Sequence, residues 1–128
     1  MSKHRDPVIR NSPRPSDVNM NGNIFGGWVL AQMDIAGGIT AARAAQGIVA
    51  TVAIEGMKFL SPIIVGDLIS CYAEIEKIGT TSITVKIDVT AIRASERAVG
   101  GAKEVRVTEG IFIFVALDEK GHPRPVKK

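Results

Sequence analysis

One long apolar helical stretch followed by four strand-like segments with short connections leaves this chain few folds to choose from. Residues 26–46 read as a helix: Ala, Leu, Met and Ile dominate, and Gly47 is placed to stop it. The strand-like segments are Val49–Leu60, Leu68–Ile78, Ser82–Ala91 and Val105–Leu117, with at most a short strand near Val8-Ile9 before the helix. The third is the clearest, because Ile83, Val85, Ile87, Val89 and Ala91 alternate with Ser82, Thr84, Lys86, Asp88 and Thr90. Such short connections suit hairpins, not the crossovers of a parallel sheet. The chain is therefore predicted to be α+β, an antiparallel β-sheet curved around a central α-helix. Gly37-Gly38 is unfavourable inside a helix, by about 1 kcal/mol per Gly. The pair makes sense if another backbone approaches closely. A helix apolar nearly all round is predicted to be deeply buried.

Composition narrows the function. At 128 residues there is no room for a second core, and no apolar run reaches the ~20 residues that span a bilayer. The N-terminal stretch lacks the apolar core of a signal peptide, and the single cysteine, Cys71, fits a reducing compartment. A cytoplasmic protein is expected. The formal charge of +3 comes from the ends: residues 1–15 and 118–128 hold eight of the sixteen Lys and Arg but three of the thirteen acids. A basic excess confined to the ends argues against a nucleic-acid face.

Little in the chain offers chemistry, and what does is concentrated. Gly26-Gly27 open the helix, where unpaired N–H groups can hold a developing negative charge and glycine lets a carbonyl oxygen come close. Asn19 precedes them and can either donate from its side-chain amide or lock the loop. At roughly 100° per residue, Gln32, Thr40, Arg43 and Gln46 share one sector. Asp34 falls roughly opposite Gln32, with Gly27, Leu30, Gly38, Ala41 and Ala45. A buried carboxylate needs a reason: a general base or nucleophile, or else a cap or an ion pair across a subunit boundary.

The two histidines, His4 and His122, lie in the end segments, so a core His triad is not expected. Cys71 is in phase with Ile69, Ala73 and Ile75 and is predicted to be core. No Cys/His metal cluster, dinucleotide fingerprint or P-loop is present. Glu109 is in phase with Val107 and Ile111, as a second functional acid or a partner of Arg106 or Lys103.

Asn19-x-x-Gly22-x-x-Phe25-Gly26-Gly27-Trp28 with Asp34, then Pro62-x-x-x-Gly66-Asp67 and Gly79-Thr80-Thr81-Ser82, resembles the hotdog-fold acyl-CoA thioesterases. The similarity is greatest to the small YciA-like acyl-CoA thioester hydrolases and covers residues 8–126. It implies a sheet wrapped around a central helix, dimers whose sheets join edge to edge, active sites at the dimer interface, and hexamers built from dimers. It implies Asp34 as the catalytic carboxylate, with Gly26, Gly27 and the Trp28 amide at the thioester carbonyl and Asn19 as the loop asparagine. Many relatives carry His where Phe25 stands and Asp where Asn23 stands, so neither is given a role.

On the same resemblance, the CoA portion contacts Trp28, Thr51, Ile54, Glu55, Met57 and Lys58 and the turn Gly79, Thr80, Thr81 and Ser82. A phosphate contact is drawn from Lys58, Arg93, Lys103 and Arg106. Coenzyme A is part of substrate and product, and no separate cofactor, metal, nucleic acid or membrane is implied. Asp34 either deprotonates water or attacks the thioester to give a mixed anhydride. The rival readings are a non-catalytic acyl-CoA-binding sensor and a hotdog dehydratase or hydratase. Gly37-Gly38 suggests room for an acyl chain of undetermined length.

Overall fold

The computed structural model describes residues 6–101 and 103–126; the N-terminal segment carrying His4 lies outside them. Strand β1 is Ile9–Asn11, helix α1 Gly26–Ala45, and strands β2, β3 and β4 are Val49–Phe59, Leu68–Ile78 and Ser82–Ile92. A short helix, α2 (Ala94–Ala98), and strand β5 (Val105–Ala116) complete the order. The strands form one sheet in the order β1-β3-β4-β5-β2, and every neighbouring pair is antiparallel.

Hydrophobic alternation sets which face of the sheet turns to the helix. Ile83, Val85, Ile87 and Val89 of β4 are fully buried, as are Phe112 and Phe114 of β5, and they meet Met33, Ala36, Ala41 and Ala45 of α1. Gly37 sits where the packing is tightest. A Cβ there would stand 2.8 Å from Ile87 Cδ1 and 2.9 Å from Phe114 Cζ. The space beside this glycine is thus filled by side chains of the sheet, not by an approaching backbone, and it is not room for an acyl chain.

Two boundaries differ from expectation for local reasons. The helix ends one residue early: Gln46, not Gly47, takes the left-handed conformation (φ 54°), and its N–H returns to the Ala42 carbonyl. Arg124 then covers the exposed end, with Nη2 donating to the Ala45 carbonyl at 2.8 Å. The polar connection after Arg93 contains α2, which buries no residue and so carries no hydrophobic periodicity to read.

Strand β2 runs along the edge of the sheet, paired only with β5. Its register shifts twice, between Thr51 and Ala53 and between Glu55 and Lys58; the second bulge holds Gly56 at φ 59°. Val52, Ile54 and Phe59 of β2 are exposed, as are Ile35 and Ile39 of α1.

Candidate active site

The loop ahead of α1 is built around Asn19. Its side-chain oxygen accepts from the Asn21 and Asn23 amides at 2.8 and 3.1 Å, and its backbone N–H donates to the Asn23 carbonyl. The asparagine therefore locks the loop, and its amide NH2 is the part left to donate. Gly22 closes the turn at φ 85°. The loop delivers the chain to Phe25, the N-cap of α1, which makes no side-chain capping bond. Trp28 N–H donates to the Phe25 carbonyl at 3.1 Å, so this amide is already engaged, contrary to expectation. The helix start leaves the Gly26 and Gly27 amides as donors. Trp28 itself is half-buried against the core.

Asn19 and Gly26 line one open depression of about 410 Å³. Its remaining walls are mostly apolar, from Ile24, Val29, Phe59, Leu60, Pro62 and Ile63, with Thr108 of β5 beside them. Neither glycine is demanded by packing. A Cβ on Gly26 would meet the Phe59 ring at 3.7 Å, and one on Gly27 the Phe25 ring at 3.4 Å.

Asp34 is placed elsewhere, and it is exposed rather than buried. The helical wheel has the meridian right, since Ala41 and Ala45 on that side are buried. What a wheel omits is that the cover changes along the axis: Gly27, Ala31, Asp34 and Ile35 all lie bare in the single protomer. The carboxylate faces the edge strand, where Thr51 Oγ1 donates to Asp34 Oδ1 at 2.5 Å. Asp34 lies eight positions after Gly26 along the helix, about 12 Å of rise.

The positions assigned to CoA are dispersed. Thr51, Ile54, Glu55 and Lys58 are exposed on β2, but Met57 turns inward, its sulfur filling the space a Cβ on Gly110 would need. The Gly79–Ser82 turn joins β3 to β4 at the other end of the molecule. The Thr80 carbonyl accepts from the Val126 amide, and the Thr81 carbonyl from Ala116. Ser82 pairs with Val115 of β5, seven residues from Thr108, so turn and depression lie about 23 Å apart.

Among the basic candidates, Arg93 is engaged structurally. Its Nη1 bonds Asp67 Oδ2 at 2.5 Å and the Pro62 carbonyl at 3.0 Å, with Asp67 fully buried. The Pro62-to-Asp67 motif is thus a latch on the wall of the depression. Glu109 resolves to an ion-pair partner on the outer face, joined to Arg106 and 3.8 Å from Lys58 Nζ, while Arg106 also reaches Asp88 at 3.5 Å. Lys103 is exposed.

Cys71 is buried in the core as expected, and burial pushes its thiol up to about 12. His122 lies in the exposed turn after β5, its backbone N–H donating to Asp118 Oδ1. Among the described residues no group of three or more His, Cys, Asp or Glu side chains is placed to hold a metal, and no helix is long and apolar enough to cross a membrane.

A sequence profile of the thioesterase superfamily matches residues 21–96. The acyl-CoA thioester hydrolase YciA of Salmonella typhimurium is 47% identical over 119 residues, covering 93% of this chain and 88% of that protein. The chain belongs to the thioesterase superfamily. Among solved structures it resembles Cj0915, a hexameric hotdog fold thioesterase of Campylobacter jejuni (TM-score 0.88, 35% identity, 96% of this chain and 91% of that one). It also resembles HI0827, a hexameric broad specificity acyl-coenzyme A thioesterase solved as an aspartate-to-alanine mutant (TM-score 0.89, 39% identity, 95% and 86%). The thioesterase has the hotdog fold, as its sequence predicts: the five-stranded antiparallel sheet is the wrapping and α1 the filling.

One residue that lines the depression, Thr108, has no sequence motif to mark it. Thr108 stands in the inward phase of β5 with Gly110, Phe112, Phe114 and Ala116, and a hydroxyl in an otherwise apolar phase was the available signal. Thr51, expected at CoA, donates within the protomer to the carboxylate of Asp34.

Proposed function

We propose that this protein is a cytoplasmic acyl-CoA thioester hydrolase whose hydrolase domain spans residues 8–126 and whose active site is completed by a second protomer. The observation that carries this reading is the division of the machinery within one chain. Asn19 and Gly26 line one depression, while Asp34 stands about 12 Å along the helix, exposed, beside a bare edge strand. A base and an oxyanion site serving one carbonyl must both lie within about 3 Å of the reacting atoms or of one intervening water. The two within one chain are too far apart.

Pairing β2 with its copy across a two-fold axis extends the sheet and covers Val52, Ile54 and Ile35. The same operation sets Asp34 and Thr51 of one protomer opposite Asn19 and Gly26 of the other. Dimers then assemble further, as the hexameric relatives do. The CoA arm runs beside the joined β2 strands, along Thr51–Lys58, toward a Gly79–Ser82 turn. Coenzyme A enters and leaves as part of substrate and product, and the reading requires no other cofactor.

The thioester carbonyl accepts from the Gly26 and Gly27 amides, with Asn19 holding the loop that carries them. Asp34 takes a proton from water as the water oxygen bonds the carbonyl carbon. Negative charge then collects on the oxygen held by the helix start, a stabilisation of about 2.7–4 kcal/mol per donor. Collapse breaks the carbon–sulfur bond; the thiolate leaves, takes up a proton, and the acid departs. In the alternative route an Asp34 oxygen bonds the carbonyl carbon and expels the thiolate, and water then cleaves the mixed anhydride.

Thiol release from a panel of acyl-CoAs, by wild type and Asp34→Asn, tests the assignment. Hydrolysis that survives the substitution removes Asp34 from the mechanism, and CoA binding without hydrolysis of any chain length favours an acyl-CoA sensor. A single turnover in labelled water separates the routes, since label entering Asp34 requires the anhydride.

A further inference from the structure

The longest helix of this chain starts without the groups that usually close a helix end. Its N-cap, Phe25, makes no side-chain capping bond, and the first turn of α1 holds no acid. N-caps favour Ser, Thr, Asp and Asn, whose side-chain oxygen accepts from the second or third helical amide. Elsewhere the chain closes its turns in this way. Asp17 accepts from the Arg14 amide, Asp67 from Ile64, Asp118 from His122 and Asn19 from Asn21. The short helix α2 also lacks a capping bond, but its first turn carries Glu96.

Position 25 is otherwise ready for a cap. Its backbone lies at φ −70° and ψ 151°, the extended region that capping residues adopt. The third helical amide, Trp28, already donates to the Phe25 carbonyl, so a capping oxygen would close on the second, Gly27. Phe25 instead sets carbon beside that residue, its Cδ1 3.4 Å from where a Cβ on Gly27 would stand. The ring stays 41% exposed, so little burial offsets the missing bond.

Resting on the thioesterase reading above, we infer that Phe25 is a positioning residue, whose lack of an acceptor keeps the Gly27 amide free for the thioester carbonyl. It touches no reacting atom and acts through that amide. A side-chain oxygen in its place would hold the amide in the resting helix, and the carbonyl oxygen would have to displace it as negative charge develops. Such a cap stabilises the fold and slows the reaction.

The test compares melting temperature and kcat, on the best substrate of the acyl-CoA panel above, in wild type, Phe25→Leu, Phe25→Asn and Phe25→Ser. Leu and Asn side chains branch at the same carbon and differ chiefly in the capping oxygen. Phe25→Asn is expected to melt about 2–6 °C above Phe25→Leu, the worth of one N-cap. Its kcat is expected to be about tenfold below that of Phe25→Leu, the worth of the hydrogen bond to be displaced. Phe25→Ser is expected to follow Phe25→Asn on both counts. A packing role alone would move stability and rate together, and that outcome overturns the inference. So does a Phe25→Asn enzyme as fast as Phe25→Leu. If wild type hydrolyses no acyl-CoA, the thioesterase reading fails and takes the inference with it. An active wild type with matched Phe25→Leu and Phe25→Asn rates sinks the inference alone.

Discussion

The Thr51 hydroxyl of the edge strand donates to the Asp34 carboxylate of the helix, 17 residues earlier in the chain, at 2.5 Å. This bond fixes the carboxylate on the side of the protomer where the sheet ends. Asp34→Ala is expected to lower kcat by about 10²–10⁴-fold, the usual worth of a positioned base. Thr51→Val, which keeps the shape and loses the bond, is expected to cost about ten- to hundredfold. Steady-state thiol release measures both, and circular dichroism is expected to show both folded. A Thr51→Val enzyme at full speed would dismiss the bond as incidental.

Gly26 and Gly37 share a helix and should respond oppositely to a side chain. Gly26→Ala meets only ordinary contact with Phe59, so its melting temperature is expected to hold while activity falls by about ten- to hundredfold as the methyl crowds the amide donors. Gly37→Val drives carbon into Ile87 and Phe114 and is expected to cost about 1–3 kcal/mol in urea unfolding. Loss of stability at Gly26, or none at Gly37, would contradict the packing described.

Arg93 distinguishes a structural ion pair from a phosphate contact. Arg93→Ala leaves the buried Asp67 carboxylate without its cation and is expected to destabilise by about 3–5 kcal/mol. A residue serving CoA phosphate would instead raise KM and leave the urea midpoint unmoved. Removing both charges together, as Asp67→Asn with Arg93→Met, is expected to cost less than the single change.

Cys71 should be inert to thiol reagents in the native protein at pH 8, because burial holds the proton on sulfur to about 12 against an ordinary 9.0. The folded chain thus binds this proton more tightly than the unfolded chain. The stability it contributes is complete below pH 9 and is lost as pH rises from 9 toward 12. Cys71→Ala is expected to remove that alkaline slope from the urea midpoint, leaving thioester hydrolysis intact. Rapid native labelling would show that the sheet opens there.

The architecture was legible because its signals are periodic. The alternation of β4 and the length of the helical stretch are read residue by residue, and Leu68–Ile78 emerges with its bounds unchanged. The elements of the proposed site are legible as residue types, glycines at a helix start and a carboxylate on the same helix. Asp34 is exposed where a helical wheel predicts burial, because a wheel projects the helix onto a circle and discards how far the sheet extends along it. Met57 and Arg93 are engaged elsewhere in the protomer for a related reason: a bulge turns one inward, and a carboxylate 26 residues earlier claims the other. None of these depends on local pattern. The bond from Thr51 to Asp34 likewise needs the strand and helix already folded together.

The notch at Gly37 indexes the helix against the sheet. Ile87 and Phe114 occupy the space where any other residue would carry its side chain. Sliding α1 by one turn would bring Met33 or Ala41 into that slot, so the axial setting has a single solution. One residue of slip is about 1.5 Å, already a large part of a hydrogen bond's length. A glycine in the middle of the rod therefore sets the tolerance at both points that the proposed mechanism uses: the amides at one end and the carboxylate two turns along.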